Sequence, residues 1–384
     1  MAAVESDPHR LIRKATTLDG ILRARASLTP DRPAYLFLAE GEIESESLTW
    51  GELDRRARSL ASALRREAAT GDRALLLYPP GLDFIVAFFA CLYARVVAVP
   101  AYPPRPRRDQ PRLRAIVEDA RPRVVLTTGA LLSGSAEILT REPSLRVPRW
   151  LATDPAAVPE MDAGDAGDPG DPGDPGDPGG HPQNRSEPDA PAFLQYTSGS
   201  TALPKGVVVS HANLLHNERM MQEAFGLDEN AVVVGWLPLY HDMGLIGNAL
   251  QPLHCGGRCV LMSPTAFLQR PRRWLEAISH YHGTTSGGPN FAYELCVQKV
   301  GPEALEGLDL ESWTVAFNGA EPVRADTLDR FAAAFAACGF APQALYPCYG
   351  LAEATLFVTG GRPGDGARTE TVSAAALARQ EVLP

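Results

Sequence analysis

Short apolar strands alternating with helical stretches predict an α/β fold with largely parallel, doubly wound sheets. Three features carry this expectation. β-branched runs such as Val96–Val99 and Val232–Val234 read as buried strands. Stretches such as Leu53–Arg66 place apolar residues at helical spacing. The run Phe84–Ala94 is apolar throughout but holds 11 residues, against about 20 for a membrane span, so it reads as a buried helix.

Taken in order, Leu53–Arg66 is a helix, Ala74–Tyr78 a strand, Phe84–Tyr93 the buried helix, and Val96–Val99 a strand stopping at Pro100, which lacks the N–H a ladder needs. Val124–Thr128 is a further strand. Arg105, Arg107, Arg108, Arg112 and Arg114 offer a phosphate-binding patch as one reading, and a solvated, Pro-broken loop running into a helix as the favoured one. No aromatic side chains are interleaved with them, as a nucleic-acid surface would require. Gly164–Gly179 repeats Gly every third residue with Asp and Pro between, so 160–187 reads as a flexible surface loop. It divides the chain into a first α/β subdomain, 1–159, and a second, 188–384. In the second, strands are expected at Phe193–Tyr196, Val207–Val209, Val232–Val234, Cys259–Met262 and Thr314–Phe317, and helices at 212–225, 271–281, 290–300 and 325–337.

Composition excludes several classes. Of 384 residues 45% are hydrophobic and 21% charged, which is globular. The net charge of −10 includes seven acids between Glu160 and Asp177; without them the balance is −3. A nucleic-acid binder needs a basic excess, and none is present. Six cysteines with no CxxC pair read as reduced thiols of a cytoplasmic protein. No metal spacing is evident among the eight histidines. The chain has no G-x-S-x-G elbow and no G-x-G-x-x-G fingerprint.

Four segments could carry chemistry. YTSGSTALPKG, 196–206, gathers Thr197, Ser198, Gly199, Ser200, Thr201 and Lys205 between two strands, where hydroxyls and backbone N–H groups can surround phosphate oxygens. It is not a Walker A loop, because a strand follows where a helix is required. In GWLPLYHDMGLIG, 235–247, His241 lies between an aromatic residue and an acid at a strand end, and Asp242 could cap a helix. FNGAEPV, 317–323, is a strand end turning into a helix, the place where open α/β sheets bind ligands. YPCYGLAE, 346–353, offers Tyr349 as a flat face for a base and Glu353 as a hard oxygen ligand for Mg2+. Taken singly, each is equally a turn or a packing element.

In this order the four segments resemble the acyl-adenylate-forming superfamily. The phrases FLQYTSGST, LPLYHDMGLIG, TSGGPNFAYELC, FNGAEPV and YPCYGLAEATLFV are similar to the fatty acyl-AMP ligases in particular. The resemblance runs from about residue 30 to the C-terminus. It implies the multi-layer doubly wound sheets of that superfamily's N-terminal domain. It also implies a reaction in which a fatty acid carboxylate attacks the α-phosphate of ATP, with acyl-AMP and pyrophosphate as products, followed by acyl transfer to the phosphopantetheine arm of an acyl carrier protein. An acyl-CoA synthetase is the sibling reading.

By motif position, Thr197, Ser198, Gly199, Ser200, Thr201 and Lys205 would hold the phosphates, with Lys205, Thr201, His241 and Glu353 in catalytic roles. Gly319, Ala320 and Glu321 would lie along the adenine, Tyr349 and the adjoining Gly350 against it, and Glu353 on Mg2+. His241 would stand where acyl and nucleotide pockets meet. Trp236, Met243, Leu245 and Ile246 are acyl-tunnel candidates, although each taken singly reads first as core packing. The sequence departs from the pattern at Ala202 and Arg95, where Gly and a small residue are usual, and at Ala352, where many superfamily members have Thr. The resemblance would continue into a small C-terminal domain bearing a Lys that contacts the reacting carboxylate. None follows Pro384, so the chain reads as an N-terminal domain or half of a split protein, which alone would bind nucleotide and acyl chain with little turnover.

Overall fold

The computed structural model describes residues 10–104, 111–135, 143–146, 148–154, 186–197 and 204–383. The expected loop at 160–187 lies outside them, apart from Ser186 and Glu187. The strands, in chain order, are β1 Pro33–Ala39, β2 Ile43–Thr49, β3 Arg73–Leu77, β4 Val97–Ala101, β5 Val124–Thr127, β6 Arg149–Ala152, β7 Pro191–Thr197, β8 Lys205–Ser210, β9 Val232–Gly235, β10 Arg258–Met262, β11 Thr285–Gly288, β12 Val315–Asn318, β13 Leu345–Gly350 and β14 Phe357–Gly360. They form an eight-stranded sheet, β14-β13-β12-β11-β9-β10-β1-β2, and a six-stranded sheet, β6-β5-β3-β4-β7-β8. Interior pairings are parallel; the terminal pairs β1–β2, β7–β8 and β13–β14 are antiparallel.

Alternation along the six-stranded sheet sorts side chains between two cores. Leu75, Leu77, Val99 and Val125 pack with Leu113, Ile116 and Val117 of the helix Pro111–Ala120. Ala74, Leu76, Ala98 and Leu126 face the opposite way, into the main core. The period of two within each strand therefore demands helices on both faces, which is the doubly wound arrangement. The apolar run becomes the helix Asp83–Ala94, with every residue from Phe84 to Ala94 buried. Within it Phe88 meets Phe84, Phe89 and Phe193 at ring centroid distances of 6.5, 5.8 and 5.7 Å. Burying each such side chain contributes about 1.5–3 kcal/mol. Among the described residues no helix is long and apolar enough to cross a membrane.

Two expectations change. β4 continues through Pro100, which stays in register with Leu76. Its pairing with β7 is confined to Ala98 and Phe193, so on that side a residue without an N–H breaks no ladder bond. The sheets also do not divide at 160–187. β1 pairs with β10, and β4 with β7, across that stretch. A crossover chain can return to a sheet begun earlier, and only the three-dimensional pairing shows it. Arg95, where a small residue is usual, ends its helix in the left-handed region at φ 57°. That position favours glycine because a Cβ there meets the following carbonyl.

Candidate active site

The two sheets bring the C-terminal ends of β4, β7, β12 and β13, with the segment Tyr240–Met243 that follows β9, to one cavity of about 490 Å³. Thr197, His241, Gly319, Ala320, Tyr349, Gly350 and Glu353, drawn from four separate segments, all line it. Ser198, Gly199, Ser200 and Thr201, with Ala202, lie outside the described residues. Lys205 opens β8 in register with Thr197 at the end of β7. The Lys205 side chain itself is exposed and is not among the lining residues.

β7 is held in place by its neighbours. The Gln195 side-chain amide donates to the Tyr240 carbonyl at 3.1 Å, which ties β7 to the segment carrying His241. Tyr102, just beyond β4, meets Tyr240 edge-on at 6.1 Å. These contacts join the two sheets across the cavity. These pairings leave no sign in the sequence, because the partners are distant in the chain.

His241 and Asp242 work as a unit. Nδ1 of His241 lies 2.7 Å from Oδ1 of Asp242, whose side chain is largely buried while the imidazole is 54% exposed. The same carboxylate oxygen accepts the Met243 N–H at 2.7 Å. It thereby caps the π-helix Met243–Leu250, as the sequence suggested of Asp242. Nδ1 of His241 also accepts the Met243 N–H at 3.4 Å, so imidazole and carboxylate share one backbone donor. Of the acyl-tunnel candidates, Met243 lines the cavity. Leu245 and Ile246 are core residues, and Trp236 stacks on Phe267 at 4.1 Å. Apolar wall is supplied instead by Met221, Phe225, Phe317 and Leu356.

β13 delivers Tyr349 with its side chain 59% exposed, free to stack on a planar ligand. Gly350 follows it. A Cβ there would lie 2.1 Å from the Leu356 carbonyl, so the tight return into β14 requires glycine. Within that return a 3-10 turn, Ala352–Ala354, sets Glu353 at the wall. Thr355 closes the turn at φ 75°, a strained value for a β-branched residue. Ala320 is likewise left-handed, at φ 67°. Cys348 lines the cavity, but burial pushes its thiol up to about 12. It remains protonated and is no nucleophile at neutral pH.

Glu321 is placed elsewhere. Its Oε1 accepts the Phe291 N–H at 2.6 Å, at the start of the helix Asn290–Lys299. The chain turns sharply after Ala320, so the motif's third residue faces away from its first two. Glu353 is suited to Mg2+ in one respect: that ion typically takes one or two carboxylates and completes its shell with phosphate oxygens and water. Among the described residues no three His, Cys, Asp or Glu side chains gather into a self-sufficient metal site.

A family model described as AMP-binding enzyme matches residues 22–382. The chain belongs to the AMP-binding enzyme family. It is 44% identical over 375 residues to the medium-chain fatty acid–acyl-carrier-protein ligase JamA of Moorena producens, covering 96% of this chain and 60% of the relative. It is 38% identical to the corresponding ligase TtuA of Teredinibacter turnerae, over 92% of this chain and 58% of that one. A crystal structure of a fatty acyl-adenylate ligase from L. pneumophila, in complex with acyl adenylate and pyrophosphate, superposes with a TM-score of 0.82 and 40% identity. The match covers 93% of this chain and 59% of that one. The multi-layer α/β architecture and the resemblance read from the motifs are thus both met. The chain spans about 60% of the length of these relatives.

Proposed function

We propose that this chain is the nucleotide- and fatty-acid-binding part of a fatty acyl-AMP ligase. In the whole protein a fatty acid carboxylate displaces pyrophosphate from ATP to give acyl-AMP. The acyl group then passes to the thiol of an acyl carrier protein. The observation that carries the reading is the single cavity on which Thr197, His241, Gly319, Ala320, Tyr349 and Glu353 converge. Transfer at the α-phosphate needs positioning and charge neutralisation more than covalent help. Thr197 and the loop it opens would contact phosphate oxygens, with Lys205 and Thr201 as their charged and hydroxyl partners. Tyr349 would stack on adenine beside Gly319, Ala320 and Gly350. His241, oriented by Asp242, would stand between nucleotide and acyl chain, with Met221, Met243 and Phe225 as apolar wall. Glu353 would hold Mg2+, which would neutralise phosphate charge. All six thiols are free, which suits a reducing compartment such as the cytoplasm.

Incubation of the protein with ATP, Mg2+ and fatty acids of graded length should release pyrophosphate and form acyl-AMP. Failure to form acyl-AMP at any chain length, in this chain and in a version extended to the length of its relatives, would sink the reading. Because the chain covers about 60% of those relatives, we assign binding to it and efficient turnover to the longer protein. Comparable turnover by both would refute that division. Consumption of added CoA to a thioester, in preference to a carrier protein, would favour the acyl-CoA synthetase alternative.

A further inference from the structure

The arginine-rich segment around 105–114 reads in sequence as solvated charge. Arg112 is exposed, as that reading expects, and it also borders the cavity. It lies in the first turn of the helix Pro111–Ala120 and lines the cavity together with Thr197 and Glu353. Among the described residues it is the only Arg or Lys on that wall, where Asp242 and Glu353 supply acidic groups.

Its place is fixed by the strand that leads into the phosphate-loop motif. Nη2 of Arg112 donates to the Tyr196 carbonyl at 3.4 Å, one residue before Thr197. The Tyr196 hydroxyl donates to Oδ2 of Asp119 at 2.6 Å. Arg112 and Asp119 are seven residues apart, two turns along the same helix face. The helix thus grips the end of β7 at two points. The bond to Tyr196 uses one of five guanidinium donors. A planar fork of fixed charge beside the end of β7 matches phosphate oxygens in geometry and sign.

We propose that Arg112 is a phosphate-contacting residue of this site, directed at the polyphosphate of a bound nucleoside triphosphate. The inference rests on the nucleotide reading above. It adds a cation from the cavity wall to Lys205, the only lysine in the phosphate-loop motif. That reading assigns adenine to Gly319, Ala320 and Tyr349, so the effect of Arg112 should depend on how many phosphates the ligand carries.

The test is calorimetric titration of wild type, R112Q and R112K with ATP–Mg2+, AMP and adenosine, with thermal unfolding as a check on folding. R112Q should raise the Kd for ATP by about tenfold or more, as expected for a lost charge-assisted hydrogen bond. It should affect AMP much less and adenosine not at all, and R112K should recover part of the loss. Equal losses for all three ligands, or no loss for ATP, would overturn the proposal and leave Arg112 as a brace of β7 or a surface charge. Wild type that binds no ATP would overturn the nucleotide reading as well; ATP binding indifferent to R112Q would overturn this inference alone.

Discussion

His241 and Asp242 are adjacent in the chain, and their side chains meet at 2.7 Å, Nδ1 to Oδ1. Neighbouring side chains often diverge; here the carboxylate is held by the Met243 N–H it also accepts. One acid therefore starts the π-helix and aims the imidazole. D242N keeps an oxygen for the cap and loses the charge. D242A loses both, at a further cost of about 1 kcal/mol in stability. Acyl-AMP formation by the extended protein should fall about tenfold or more in both variants, since a misoriented group loses its positioning advantage. Melting temperature should fall appreciably only in D242A. Full activity in D242N would remove His241 from the reaction.

Lys205 opens β8 and Glu353 lies in the 3-10 turn after β13; in the proposed reading both serve the nucleotide. K205A should weaken ATP–Mg2+ binding by about tenfold. E353Q should weaken it only when Mg2+ is present, because an amide is a poorer ligand for a hard cation than a carboxylate. Titration with and without Mg2+ separates the two. Unchanged affinity in both variants would count against the placement of these residues.

Ala320 holds φ 67° at the cavity wall with its side chain exposed. The left-handed region costs a non-glycine residue roughly 1–2 kcal/mol. Glycine removes that strain but has more freedom in the unfolded chain. A320G should therefore raise the free energy of unfolding by a net of about 0.5–1 kcal/mol in a urea titration. A loss of stability would show that the Ala320 methyl packs more than its exposure suggests.

His254 bears on pH dependence. Burial first, then the charges of Arg219 and Arg25, lower its pKa to about 4 from 6.5. Between these values the unfolded chain binds the proton more readily, so the contribution is complete above about pH 6.5 and is lost as pH falls toward 4. The shift corresponds to roughly 3 kcal/mol at most. H254Q should flatten that part of the stability profile; wild type and variant with parallel profiles from pH 7 to pH 4.5 would contradict the assignment.

Much of this molecule can be read from local chemistry. Apolar runs became β3, β5, β9 and β10 within a residue or two, because strands buried on both faces need such side chains whatever surrounds them. The four motifs were visible because phosphate, base and metal each require particular groups close together. Other elements carry no local signal. β11 is Thr-Ser-Gly-Gly and has no apolar residue; a Cβ on Gly287 would lie 2.0 Å from the Phe317 carbonyl, so close approach of β12 selects glycine there. β2 is an edge strand with a mostly exposed, charged sequence, Ile-Glu-Ser-Glu-Ser-Leu-Thr.

Long-range geometry decided the rest. Pairing of β1 with β10 and of β4 with β7 carried both sheets across the Asp-Pro-Gly stretch. A turn after Ala320 moved Glu321 onto the Phe291 N–H, and the hold on Tyr196 brought Arg112 to the cavity. Residue type records what a group can do chemically. Which groups share a wall depends on contacts between segments scores of residues apart, and a one-dimensional pattern does not encode those distances.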